Sequence, residues 1–140
     1  MDLLARREHS RSELARKLSR HFNDRAELHA ALDRLTEEGL QSDDRFAASF
    51  VRERMLRGQG PRRIASELIQ RGVSAALVGH ALQAVPAEAC ETWESLADQA
   101  LFKRFGSQDL VGIDAEERVR RLRFLHQRGF HTEAYGPVYD

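Results

Sequence analysis

Arginine carries most of the chemistry that this sequence offers. The 22 basic residues of the 140-residue chain include only two lysines, Lys17 and Lys103. A guanidinium grips a carboxylate or phosphate through two parallel hydrogen bonds, where an ammonium acts as a point charge. The arginines are clustered. Arg52, Arg54, Arg57, Arg62, Arg63 and Arg71 lie in a segment where only Glu53 and Glu67 oppose them, and Arg118, Arg120, Arg121, Arg123 and Arg128 form a second stretch beside Glu116 and Glu117. Arg6, Arg7, Arg11, Arg16, Lys17 and Arg20 form a third, near the start. Residues 23–44 are the acidic counterpart, with Asp24, Glu27, Asp33, Glu37, Glu38, Asp43 and Asp44 against Arg25 and Arg34. The 22 acidic residues cancel the 22 basic ones, so a whole-molecule field strong enough to hold nucleic acid is not available, and any binding is local.

Placement ranks these cations. Ile64, Ala65, Leu68 and Ile69 mark an inward helical face, so Arg62 points outward with Ser66 and Gln70 and has no partner in its own helix; it is a candidate contact. Arg63, Glu67 and Arg71 follow at i, i+4 spacing and are expected to neutralise one another as a solvated stripe, which ranks Arg63 below Arg62. Arg52, Arg54 and Arg57 close the preceding helix, where cations also suit the helix dipole; they read equally as solvated charges or as contacts. Arg118, Arg120, Arg121 and Arg123 complete the candidate partner-binding set. Basic stretches recur near what should be the second helix of each of three repeats, so they could form a discontinuous stripe along one face.

The other reactive residue types lack the spacing that catalysis needs. Asp43 and Asp44 follow Ser42 at a helix start, where paired carboxylates complement the dipole, and they read better as caps than as a metal or acid/base pair. Among the six histidines, His126 and His131 are five apart and His21 and His29 eight apart, which misses the one-turn spacing of helical metal ligands. No nucleophile elbow, phosphate loop or paired-cysteine motif occurs. No enzyme activity, metal or cofactor is therefore expected. Cys90 is the sole cysteine, so no intrachain disulfide can form. The first residues lack the apolar run of a signal peptide, and no window approaches the roughly 20 apolar residues of a spanning helix. A soluble protein of the reducing cytoplasm, without a membrane partner and acting as a monomer, is expected.

Leu, Ala, Arg and Glu dominate while Val, Ile and Thr are scarce, which favours an all-α fold. A shift of 50 residues places Leu14 on Ile64, Leu18 on Leu68, Leu28 on Val78, Leu32 on Leu82 and Leu35 on Val85, and sets Asp24 on Ser74 as helix caps. The same shift sets Phe46, Phe50, Val51 and Met55 on Leu96, Ala100, Leu101 and Phe105. A shift of 57 then sets Ala65 on Leu122, Leu68 on Leu125, Val73 on Phe130, Val78 on Tyr135 and Leu82 on Tyr139, and Gln70-Arg71-Gly72 on Gln127-Arg128-Gly129. The change of offset implies a loop insertion near 106–113. Three tandem three-helix repeats are expected, over residues 1–41 with a short first helix, 42–86, and 87–140 with a short last helix. Stacked end to end, such thinly cored units should form a curved, elongated rod that works through its outer surface. Trp93, Phe102 and Phe105 read as core of the last repeat, with Trp93 alternatively an interface anchor.

The motifs come in a recognisable order. Arg7-Glu8-His9-Ser10 leads into Glu13-Leu14 and Lys17-Leu18, then comes Asp43-Asp44-Arg45-Phe46-Ala47, then Gly58-Gln59-Gly60-Pro61 with Ile64, Glu67-Leu68 and Gly72. Together these segments resemble the successive signatures of the RecX family of modulators of the RecA recombinase, and the resemblance spans nearly the whole chain. It implies a helical-repeat protein without an active site that binds the active RecA filament, lodges in its helical groove and damps recombinase, ATPase and co-protease activity. The basic residues would then face acidic surface of the filament, or DNA phosphates exposed in its groove. The chain departs from the pattern at its ends, in its short N-terminal lead, its short last helix, and His131 where Asp24 and Ser74 stand in the other copies. A reading of another class is direct nucleic-acid binding through helix-turn-helix-like units; the zero net charge argues against strong autonomous binding.

Overall fold

The computed structural model describes residues 2–135. Helices follow one another as α1 (Asp2–Arg6), α2 (Arg11–Leu18), α3 (Arg25–Glu37), α4 (Asp43–Leu56), α5 (Pro61–Gln70), α6 (Ala75–Glu88), α7 (Trp93–Phe105) and α8 (Ala115–Arg128), with 3-10 turns at Ser19–His21 and Glu133–Tyr135. No strand occurs among the described residues. Side-chain caps fix the starts: Ser10, Asp24, Ser42, Ser74, Thr92 and Asp114 each accept a backbone N–H of the first turn, and Ser10 forms a full capping box with Glu13. At α5 the cap is Gly60, with Pro61 supplying a preset φ in the first turn.

The apolar residues collect into separate cores that follow the helix triplets. Leu14, Leu28, Leu32 and Leu35 form the first, joined by Leu3, Leu4, Leu18 and Phe22. The largest lies among α4, α5 and α6 and holds Phe46, Phe50, Val51, Met55, Ile64, Leu68, Val78 and Val85. The third holds Ala97, Leu101, Leu125 and Phe130, with Phe105, Phe124 and Tyr135 packed on it. Trp93 packs against both the second and third cores, and its indole N–H donates to the Leu82 carbonyl at 2.9 Å. It is thus a joint between units.

Two apolar assignments need correction. Ile69, expected inward, is 50% exposed, and Phe102, expected in the core, is 60% exposed. Both lie one residue beyond a fully buried leucine, Leu68 and Leu101, and the 100° step per residue turns them out of a narrow core stripe. In the last unit the third helix appears as the turn at Glu133–Tyr135. His131 is exposed beside Glu133, and Tyr139 lies outside the described residues.

The second helices of the three triplets meet end to end. The start of α2 abuts the end of α5: Ser10 Oγ donates to the Arg71 carbonyl at 2.8 Å, and Arg71 donates to the Glu13 carboxylate at 2.8 Å. The start of α5 abuts the end of α8 in the same way, with the Gly60 N–H on the Arg128 carbonyl at 2.7 Å and the Arg62 N–H on the Gly129 carbonyl at 2.8 Å. The 50-residue shift relates Ser10 to Gly60, and the 57-residue shift relates Arg71 to Arg128, so one junction is built twice. Each sets a helix N-terminus against a helix C-terminus; at the second, unpaired N–H groups of α5 meet unpaired carbonyls at the end of α8 directly, while at the first the Ser10 hydroxyl takes the carbonyl and Asp43 takes the Arg11 N–H.

Candidate functional site

The structure divides the candidate arginines by what holds them. Arg54 pairs with Glu67 at 2.7 Å and lies over the Phe50 ring, on which Arg71 also stacks. Arg71 reaches Glu13 across the first junction instead of closing the stripe with Glu67; Glu67 is taken by Arg54 and, at 3.5 Å, by Arg63. Arg62 is exposed and unpaired within its helix, yet its guanidinium donates to the His126 carbonyl of α8, so its first duty is to the second junction. Arg121 is buried, pairs with Glu117 and donates to the Asp109 carbonyl, while Arg118 donates to the carbonyls of Leu110 and Tyr135. These two pin the loop between α7 and α8. An isolated sequence could not show these duties, because the carbonyls that accept them carry no residue identity.

Arg52, Arg57, Arg63, Arg120 and Arg123 remain on the surface. Arg52 reaches Glu88 only at 3.9 Å, Arg57 pairs with Glu53 at 2.7 Å, and Arg120 lies 3.7 Å from Glu117. Arg123 makes no ion pair or hydrogen bond among the described residues. Arg120 and Arg123 border a broad depression along α8 together with Arg104, Arg128 and the edge-on pair Phe105 and Phe124, whose centroids are 5.4 Å apart. Arg52, Arg62 and Arg63 do not reach it. Lys103 and Arg104, at the end of α7, are further exposed cations that the sequence reading missed; their position in the last turn before the Gly106 cap was the available signal. Exposed guanidinium groups so placed can take carboxylate or phosphate from a large partner. No cluster of metal-ligating residues occurs among the described residues, and no helix there is long and apolar enough to cross a membrane.

Comparison with known proteins extends the geometry. A family model for the RecX second three-helix domain matches residues 42–82, the segment that forms α4, α5 and most of α6. The regulatory protein RecX of Halorhodospira halophila is 45% identical over 131 residues, covering 94% of this chain and 78% of that protein. That of Chromohalobacter salexigens is 46% identical over 131 residues, covering 94% and 82%. The chain belongs to the RecX family. That of Pseudomonas fluorescens is 44% identical over 133 residues, covering 95% and 82%. A crystal structure of a regulatory protein RecX shares the fold, with a TM-score of 0.71 at 23% identity, covering 98% of this chain and 66% of that one. The all-helical repeat fold and the regulatory character of the family follow.

In this RecX-family chain the first junction carries a polar seam of its own. Asp43 accepts the Arg11 N–H at 2.8 Å and the Gln41 side-chain amide at 2.9 Å, and Arg45 pairs with Glu8 at 3.0 Å. Asp43 is therefore a clasp between triplets as well as a first-turn carboxylate. His9 is buried, with Nδ1 3.1 Å from the Arg7 carbonyl and Nε2 3.2 Å from Lys17 Nζ. An ammonium can only donate, so Nε2 accepts and the ring proton sits on Nδ1: the site requires a neutral imidazole.

Burial, then the Arg7 and Lys17 charges, hold the His9 ring below its ordinary value of 6.5, against the opposing pull of the Arg7 carbonyl and Glu13. At Glu13 burial pushes the carboxyl up, but the Ser10 N–H, Arg7 and Arg71 together outweigh it and hold it below 4.5. Both folded values lie below the unfolded ones, so each group's stabilisation is fully present above the unfolded value and is lost as pH falls through the folded one. Thermal melts followed by circular dichroism should therefore show a first loss of stability as pH drops below 6.5 and a second below 4.5. His9→Gln should remove the first step alone; a first step that persists in that variant rules out His9 as its source.

Proposed function

We propose that this chain binds the RecA filament and modulates it, mainly by inhibiting its recombinase, ATPase and co-protease activities, and so acts in homologous recombination, DNA repair and the SOS response in the cytoplasm. The observation that carries this reading is identity of 43–46% to regulatory RecX proteins over nearly the whole chain. The arrangement of side chains supports it: the exposed cations lie on outer helix surfaces, suited to a large partner. On this reading the chain is a non-enzymatic monomer of three repeats bounded near residues 41 and 86. Arg52, Arg57, Arg63, Arg120 and Arg123 are the exposed contacts that meet acidic filament surface or DNA phosphates, while Arg54, Arg62, Arg71, Arg118 and Arg121 chiefly hold the repeats in place.

The test mixes the protein with single-stranded DNA alone and then with RecA filament and ATP. Weak binding to DNA alone with a clear fall in ATP hydrolysis is expected. Arg52→Glu together with Arg123→Glu should weaken inhibition by about tenfold, or about 1.4 kcal/mol of binding, with helicity and melting unchanged. Tight DNA binding with hydrolysis unaffected would replace this reading with direct nucleic-acid binding.

A further inference from the structure

The end of α4 and the flanks of α7 and α8 enclose a groove of about 550 Å3 between the second and third cores. Its floor is apolar, formed by Met55, Leu96, Ala100 and Phe130, and Leu56 stands at its lip with 81% of its surface exposed. Arg57, Lys103, Arg104 and Arg128 surround it, and no carboxylate lines it. Arg57 is held by Glu53. The other three form no ion pair among the described residues, and Arg104 and Arg128 rest only on the rings of Phe105 and Phe124. In a chain of zero net charge, three cations without carboxylate partners around an apolar floor are an uncompensated local charge.

The complement of that surface is a segment with apolar side chains on one face and carboxylates on the other, the helix-in-groove mode of peptide recognition. A nucleic acid strand fits less well. Its bases would meet the aliphatic Met55, Leu96 and Ala100, and the nearby Phe124 ring is already covered by Arg128, so no free stacking platform is offered. We propose that this groove docks an acidic amphipathic segment of a partner protein. The proposal deepens the RecA reading by naming the chemistry of the segment to be recognised, and rests on that reading only for the partner's identity.

The probe is a short fluorescein-labelled peptide with Leu and Phe on one helical face and Glu on the other, titrated with the full chain and followed by anisotropy. Saturable binding is expected, with loss of binding when Lys replaces Glu in the peptide. Leu56→Glu with Lys103→Glu should weaken binding by about tenfold; both side chains are exposed, and unchanged circular dichroism will certify the fold. The proposal is overturned if the acidic peptide does not bind, if the double variant binds it as tightly, or if single-stranded oligothymidylate binds and the same variant abolishes that binding instead. Inhibition of RecA-dependent ATP hydrolysis, measured in parallel, separates the two claims. Peptide binding without inhibition supports the groove and removes RecA as its partner, whereas inhibition without peptide binding overturns the groove and leaves the RecA reading in place.

Discussion

Gly60→Ala is expected to separate the third helix triplet from the second. A methyl group at that position would lie 2.4 Å from the Phe130 amide nitrogen and 2.5 Å from the Gly129 carbonyl carbon. Both neighbours are backbone, so neither can rotate away, and the clash must be relieved by moving α5 from the end of α8. That movement breaks the Gly60–Arg128 and Arg62–Gly129 hydrogen bonds together. The cost should reach about 3 kcal/mol, the upper end for inserting one carbon into a packed site. Circular dichroism should show near-normal helicity with a lower melting temperature, and filament inhibition should fall with it. Gly79→Ala is the matched control: its added methyl meets nothing within 4 Å in the middle of α6, so it should leave stability unchanged or raise it by about 0.5–1 kcal/mol. Equal melting of the Gly60→Ala protein and the parent would show that the junction tolerates a side chain and does not set the packing.

Leu68→Ala is expected to have an effect of comparable size by a different route. Leu68 is fully buried in the largest core, among α4, α5 and α6. Truncation removes transfer energy and leaves a cavity, together about 2–5 kcal/mol. The upper end applies if the surroundings cannot collapse, and the flanking Ile64, Val51 and Phe50 are themselves buried. Chemical denaturation should show the midpoint shifted down with the slope retained. A loss well below 1 kcal/mol would mean that the core refills the space.

Much of the fold was legible because burial has a period. Leu14, Ile64 and Leu125 sit in three different cores, and the spacing of their neighbours already marked the helices that carry them. The caps were legible for the same local reason: Ser10, Asp24 and Ser74 act within their own first turns. Edges of the apolar stripes were not, since Ile69 and Phe102 are apolar by type and exposed by angle. The junctions were invisible because they depend on backbone carbonyls of residues 61 to 68 positions away, as with Ser10 on Arg71 and Gly60 on Arg128. The sequence reading that offered Arg62 as a candidate contact, above Arg63, missed its hold on the His126 carbonyl for that reason. It could see that the arginine lacked a partner in its own helix, and it could not see the end of α8 beside it.

The core of α1–α3 shares no apolar residue with the next core; hydrogen bonds and ion pairs around Ser10, Glu13, Asp43 and Arg71 join the two. Such bonds are directional and contribute about 1 kcal/mol each, and Ser10 and Glu13, which make them, are buried. The front third is therefore held to its neighbour by a polar seam, with the two apolar interiors kept separate. At the other end Trp93 is wedged into two interiors and stiffens the joint. One joint thus rests on charge and hydrogen bonds and the other on an indole shared by two oily interiors, so added salt should loosen the first more than the second.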